Sequence, residues 1–166
     1  MKSKMNIAWD LSDLYSGIDD PRIEADVKAI EKSVAAFEVA YRGKIDEKLS
    51  VQGLRQMLDT YSALIQRIRK LEVYASLEHS THVDIEEYGA FYQHVATKAA
   101  DLQSGLVFLE TDLVGLFDKK LQMFIDEPTL KPYRHYLEKK LVQKQHYLSE
   151  DEEKILQQKS LTGRQA

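Results

Sequence analysis

Residues 85–116 read IEEYGAFYQHVATKAADLQSGLVFLETDLVGL, and the spacing of their apolar side chains decides the fold class. Ile85, Tyr88, Tyr92, Val95, Ala99, Leu102, Leu106, Leu109, Leu113 and Leu116 recur at alternating steps of three and four, ten positions without a missed step. That is the period of one buried stripe on an α-helix, not the two-residue alternation of a half-buried strand. Asp84, with Glu87 three residues on, predicts a capping-box start, and the stretch is expected to be the longest helix of the chain. Phe91, Val107, Phe108, Val114, Phe117, Leu121 and Phe124 add a second apolar flank, which predicts a central helix that touches neighbours on more than one side in its later half. Gly105 and Gly115 each cost about 1 kcal/mol relative to alanine inside a helix, a cost that the close approach of a neighbour or a gentle bend would offset.

The same period extends in both directions. Asp20-Pro21 places a capping side chain before a proline at the first helical position, and Gly43 follows the last regular apolar residue, Tyr41. Between them Ile23, Val27, Ile30, Val34, Phe37 and Tyr41 form a stripe. After a polar link from Gly43 to Leu49, Ser50 caps a second helix with the stripe Leu54, Met57, Tyr61, Leu64, Ile68, Leu71 and Ala75, and His79 to Val83 is expected to link it to the third. Asp126-Glu127-Pro128 and Lys131-Pro132 punctuate the far side; Pro132 is expected to open a further segment through Lys144, and Ser149 with Glu152 to cap a last one. Long helices on short links predict an all-α, antiparallel bundle with crossing angles of roughly 20°, as a single helical domain over residues 1–166.

Composition narrows the function. The chain has 166 residues, 43% of them hydrophobic and 30% charged, the profile of a globular protein. A net charge of -4 and a pI near 5.8 argue against nucleic acid as a partner. With no cysteine there is neither a disulfide framework nor a thiolate metal site, which is compatible with a cytoplasmic location. The longest apolar run, Leu106 to Leu109, is too short to span a bilayer, and the Met1 to Met5 region lacks the apolar core of a signal peptide, so no membrane partner is expected.

Four short stretches carry more. They are Trp9-Asp10-Leu11-Ser12-Asp13-Leu14-Tyr15, Lys70-Leu71-Glu72-Val73-Tyr74-Ala75-Ser76-Leu77, Tyr133-Arg134-His135-Tyr136-Leu137-Glu138 and Leu148-Ser149-Glu150-Asp151-Glu152-Glu153-Lys154-Ile155-Leu156. In this order they resemble the opening of an oligoendopeptidase F-type zinc oligopeptidase. The resemblance implies the N-terminal, channel-wall part of a larger helical fold similar to thimet oligopeptidase. It implies a parent enzyme that hydrolyses internal bonds of short peptides, with a catalytic zinc domain beyond residue 166 that carries His-Glu-x-x-His. That motif places two imidazoles on one helix face with a general base between them, and it does not occur in this chain. The chain alone is therefore expected to be non-catalytic, with no catalytic, cofactor-binding or metal residues of its own and zinc only in the full-length parent. Ser160 to Ala166 resembles a junction that in the family continues through a tryptophan into further helices. The expected partners are the catalytic half of the same protein and, in the whole enzyme, short peptides; self-association through Val107, Val114, Phe117, Leu121 and Phe124 is the other expected use of an uncovered apolar surface. On the stripes alone, a non-enzymatic helical interaction module remains the alternative.

Individual residues fit that reading. His79 and His82, near Glu78 and Asp84, have the spacing of a weak metal pair without a third ligand, and His82 stands where the family has a small polar or acidic residue. No histidine has a glutamate three residues before it, so a bundle di-iron site is excluded. His94 and His135 fall in expected helices and His146 in a link. Glu86, Glu87 and the run Glu150 to Glu153 suit first helical turns, where the macrodipole stabilises them. Arg67, Arg69, Lys70, Lys139, Lys140 and Lys144 read as a solvated face, and Tyr88, Tyr92, Tyr133 and Tyr136 as half-buried packing residues.

Overall fold

Asp20 and Pro21 start the first helix as their chemistry requires. Asp20 holds an extended backbone and its carboxylate accepts from the Arg22 backbone N–H at 2.9 Å, while Pro21 fills a position whose N–H has no helical partner. Helix α1, Pro21–Tyr41, buries Ile23, Val27, Ile30, Val34 and Phe37 as its period predicts. It ends just before Gly43, whose φ of +73° lies in the left-handed region that favours glycine. The computed structural model describes residues 11–146, and these hold six α-helices, a 3-10 helix and no strand. After α1 come α2 (Val51–Thr81), α3 (Glu86–Ser104), α4 (Val107–Gly115), α5 (Asp118–Asp126), the 3-10 helix Pro128–Tyr133 and α6 (Arg134–His146). The protein is all-α.

The described residues cluster into two compact units, one made of the chain up to Arg42 with Met57–Phe108, the other of Gly43–Gln56 with the chain from Leu109 onward. In the first, three helices run up, down and up. Arg67 reaches Ser33 at 3.3 Å and Tyr61 lies against Phe37, so α2 descends along α1. Gln103 donates to Glu72, and Tyr92 meets His79, so α3 ascends along α2. Glu24 pairs with His94 and Glu31 with Lys98, which makes α1 and α3 parallel. The core between them includes Ile30, Phe37, Ile68, Tyr74, Val95 and Ala99.

In the second unit α5 and α6 are antiparallel. Lys144 Nζ donates to the Leu116 carbonyl and pairs with Asp118 at 2.8 Å at one end, and Arg134 Nε donates to the Ile125 carbonyl at 3.1 Å at the other. Leu113, Leu121, Phe124, Leu130 and Leu137 are fully buried there. The stretch from Gly43 joins this unit through polar contacts: Lys120 Nζ donates to the Glu47 carbonyl at 2.9 Å and Arg55 Nη1 to the Thr129 carbonyl at 2.6 Å. Ser50 caps α2 as expected, its hydroxyl accepting from the Gly53 N–H at 3.0 Å.

Several boundaries differ from the sequence expectation. The stretch 85–116 is two helices, not one, and α2, with 31 residues, is the longest. The break falls at Gly105, where a Cβ would stand 2.8 Å from Val34 Cγ1, and Leu106 closes a tight turn onto the Gln103 carbonyl at 2.9 Å. Its stripe survives the break: Val95, Ala99, Leu102, Leu106, Leu109, Leu113 and Leu116 are buried, although Ile85 is exposed. α2 runs on through Thr81, with the Ser80 and Thr81 hydroxyls bonded back to the carbonyls of Ser76, Leu77 and Glu78. α3 starts after Ile85, with no side-chain cap from Asp84. Pro132 lies inside the 3-10 helix; Pro128 begins that helix behind Glu127, which accepts from Thr129, and α6 starts only at Arg134. His146 ends α6 instead of standing in a link. Val114, Leu121 and Phe124 are interior, because α5 folds back as a separate helix, and of the expected uncovered patch Val107 and Phe117 are the exposed members. The helix start at Ser149 lies outside the described residues.

Gly105 supplies a stability test. Alanine has the better helical propensity, but its methyl must displace a stiff β-branched neighbour. Gly105→Ala is expected to destabilise by about 1–3 kcal/mol, the usual cost of overpacking. A denaturant cycle with Val34→Ala should show the two changes coupled by about 0.5 kcal/mol or more; an additive cycle, or a stabilising Gly105→Ala, would refute the contact as the cause of the break.

Candidate functional site

Two of the family-like stretches meet in the first unit. The ring of Tyr15, from the end of the first stretch, stands edge-on to Tyr74 of the second at 4.9 Å between centroids. Both rings are buried, and the Tyr15 hydroxyl donates to Asp26 Oδ2 at 2.7 Å. Lys70 Nζ lies 4.8 Å from the Tyr15 ring centroid and the Arg22 guanidinium 5.7 Å from it, both within cation–π range. Arg22 also closes on Asp20, with Nη2 at 2.6 Å from Oδ2, and the Ser16 N–H donates to the same oxygen at 2.7 Å. This knot ties residues 15–26 to α2.

Its electrostatics oppose proton transfer at neutral pH. Burial, then the hydrogen bond to Asp26, raises the Tyr15 phenol above the ordinary tyrosine range. Burial and the neighbouring Glu78 do the same to Tyr74. Hydrogen bonds from the Arg22 side chain, then from the Ser16 and Arg22 amides, hold Asp20 well below the usual carboxylate range. The phenols keep their protons and the carboxylate stays charged, so the knot is a clamp and not an acid–base pair.

The other face of the second stretch lines a cleft against α3 of about 280 Å³, with Glu72, Val73, Ser76, Leu77, Tyr92 and Val95 among its walls. Gln103 Nε2 holds the Glu72 carboxylate, at 3.3 Å from each oxygen. At one end His79 stacks on Tyr92, 5.4 Å between centroids and 14° from parallel. The chemistry of the cleft is that of an apolar trough with one oriented carboxylate and one hydroxyl, suited to an extended segment that offers N–H donors.

The histidines weighed as metal ligands are held elsewhere. His82 stacks on Tyr88 at 4.0 Å, and its Nδ1 lies 3.0 Å from the Glu78 carbonyl and 2.9 Å from Thr81 Oγ1. His79 is turned to a different tyrosine, and Asp84 is exposed. Among the described residues no three His, Cys, Asp or Glu side chains gather as a metal would need. His94 and His135 are exposed, Glu86 and Glu87 occupy the first turn of α3, and Tyr88, Tyr92, Tyr133 and Tyr136 are half-buried. Glu150 to Glu153 lie outside the described residues. Lys140 departs from the solvated-face reading: it is only 5% exposed and its Nζ meets Glu110 at 2.9 Å. Reasoning from sequence also missed Glu72 and Ser76 as cleft residues, although both sit in the second stretch, and the outward positions of that stretch were the available signal.

The third stretch, Tyr133 to Glu138, is structural in the second unit. Leu137 is fully buried, Arg55 lies over the Tyr133 ring at 5.5 Å, and Arg134 bonds the Ile125 carbonyl. Across these stretches the described residues pack and clamp helices.

Comparison with known proteins supports the resemblance carried by the four stretches. The family model described as Oligopeptidase F matches residues 113–166. The chain is 30% identical over 156 residues to an oligoendopeptidase F homolog of Borreliella burgdorferi, covering 91% of this chain and 25% of that protein. It is 27% identical over 149 residues to the group B oligopeptidase PepB of Streptococcus agalactiae, covering 89% and 24%. It is 26% identical over 162 residues to the oligopeptidase PepF of Bacillus subtilis, covering 95% and 23%. No solved structure matches at a significant level. These matches support an N-terminal region of oligoendopeptidase F, and the chain spans about a quarter of the length of the curated relatives it matches.

The Asp20 clamp predicts an acid limb of stability. A carboxylate whose pKa is depressed on folding contributes stability above its unfolded pKa, about 3.9, and loses it as the pH falls toward the folded value. Stability measured by denaturant should therefore decline below about pH 4, and Asp20→Asn should lower stability at neutral pH while flattening that decline. An acid limb unchanged by Asp20→Asn would show that Asp20 is not its source.

Proposed function

We propose that this chain is the non-catalytic front of a zinc oligopeptidase, walling the space in which short, unstructured peptides are held for cleavage of internal bonds. The observation that carries the reading is similarity along about nine-tenths of the chain to proteins named as oligopeptidases, in a sequence that lacks His-Glu-x-x-His. His79 and His82 lie against separate tyrosine rings and among the described residues no three His, Cys, Asp or Glu side chains gather, so in this reading a zinc ion would be held by the motif-carrying part of a longer protein. The protein would act in the cytoplasm; among the described residues no helix is long and apolar enough to cross a membrane.

In this reading the chain supplies walls and orientation. Val73, Leu77 and Val95 give the cleft apolar sides, and Glu72, fixed by Gln103, accepts from the backbone N–H groups or amino terminus of a peptide. A folded protein has no free extended strand to lay there, so walls of this kind select by size and disorder.

The purified chain is expected neither to cleave quenched fluorescent oligopeptides nor to keep stoichiometric zinc after dialysis, whereas the longer protein should do both. In the longer protein Val73→Trp should raise KM for longer peptides more than for the shortest ones, with zinc content unchanged. Chelator-sensitive cleavage by the chain alone would defeat the non-catalytic reading, and a KM unaffected at every peptide length would remove this cleft from the peptide path.

A further inference from the structure

The cleft between α2 and α3 carries an unbalanced charge. Among the residues that line it Glu72 alone is charged, and the group that holds its carboxylate, the amide of Gln103, is neutral. A carboxylate has about four acceptor sites, and one amide nitrogen uses at most two of them. The neighbouring cations are turned elsewhere: Lys70 lies over the Tyr15 ring and Lys98 pairs with Glu31 of α1. Arg69 is exposed, and among the described residues no lysine or arginine pairs with Glu72. A half-buried carboxylate against apolar walls gains most from a cationic donor, because a charge-assisted hydrogen bond strengthens where water is excluded. The complement of this cleft is an ammonium group.

Short peptides offer two kinds of ammonium, the amino terminus and the lysine side chain, and Ser76 separates them. Its hydroxyl stands one helical turn from Glu72 on the same face of α2 and lines the same cleft. A turn rises about 5.4 Å and an extended chain advances about 3.3–3.6 Å per residue, so the hydroxyl falls beside the first peptide groups of a chain whose terminus is on Glu72. A lysine head is followed by four methylenes, which give a hydroxyl nothing to bond. Glu72 and His79 lie seven positions apart on α2, about 10 Å at the helical rise. About three extended residues therefore fit between the carboxylate and the stack of His79 on Tyr92.

We propose that this cleft captures the free amino terminus of a short peptide, with the ammonium on Glu72, the first peptide group at Ser76 and the leading side chains against Val73, Leu77 and Val95. The proposal rests on the peptide-path reading of the cleft and names the part of the peptide that the cleft recognises. Backbone N–H groups further along the peptide are neutral and leave the Glu72 charge unmatched.

The whole chain, labelled with nitrogen-15, is titrated with Leu-Val-Phe amide, with its N-acetyl form, and with N-acetyl-Lys-Val-Phe amide. The free peptide should shift the amides of residues 72–77 and 92–96 and bind about tenfold more tightly than either acetylated peptide, the worth of one hydrogen bond to a charged group. Glu72→Gln should erase that preference with helical circular dichroism unchanged. The proposal is overturned by equal affinity for the free and acetylated peptides, by a preference that survives Glu72→Gln, or by an absence of shifts in those amides. It is overturned equally if the acetylated lysine peptide binds as tightly as the free one, which assigns the cleft to a side chain. Val73→Trp in the longer protein tests the underlying reading separately. A KM that ignores Val73→Trp while the terminus preference holds removes the cleft from the cleavage path and leaves the capture standing. A KM that responds while the preference is absent sinks the capture alone.

Discussion

An amphipathic helix cannot leave its apolar stripe in water, and in this chain the stripes must be buried on other helices because the described residues contain no sheet to receive them. The consequences are visible residue by residue. Ile23, Val27, Ile30, Val34 and Phe37 face inward from α1, and Leu64, Ile68, Leu71 and Ala75 from α2. Each buried Val, Leu, Ile or Phe side chain contributes about 1.5–3 kcal/mol relative to exposure, far more than the surface pairs Glu24–His94 or Glu31–Lys98, of a kind whose median contribution is about 0–1 kcal/mol. Ion pairs therefore report which helices are neighbours in the first unit without holding them together.

This ranking explains what was legible beforehand. Period and caps are local, so α1 could be read to its ends, the Ser50 cap was correct, and the all-α class followed from counting steps. The break at Gly105 is not local. A glycine in a continuous stripe is compatible with a bend, a close approach or a break, and the choice depends on Val34, seventy-one positions earlier in sequence, whose methyl occupies the space a side chain would need. The same holds for the apolar flank after residue 107. Leu121 and Phe124 share the helical phase of that stripe, but a fold-back after Gly115 places them in a core of their own, leaving Phe117 at the corner. Lys140 was misread for a related reason: its neighbours in sequence are charged, whereas its partner Glu110 comes from another helix.

The candidate site was less legible than the fold. Resemblance pointed to Lys70 to Leu77 without saying which of its faces mattered, and a helix has two. Leu71, Tyr74 and Ala75 serve the core and the Tyr15 clamp, while Glu72, Val73, Ser76 and Leu77 face the cleft. A stretch that carries packing on one side and a cleft on the other is constrained at nearly every position. That is a physical reason for such a segment to keep a recognisable sequence whether or not it performs chemistry.

The clamp and the cleft also share a helix, and this ties the stability of the unit to the geometry of the cleft. Tyr74 is fully buried and meets Tyr15 and Phe91 edge-on, so the turn of α2 that carries it cannot rotate without breaking aromatic contacts on two sides. Glu72 and Ser76 are each two positions from Tyr74 on the same helix, and their direction into the cleft is set by that anchor. Gln103 then fixes the Glu72 carboxylate from α3. A carboxylate held by a rigid turn and by a second helix presents its oxygens without further ordering, so a peptide bound as proposed above would not have to supply that entropy. The Tyr15 clamp holds the same turn of α2 from the opposite face.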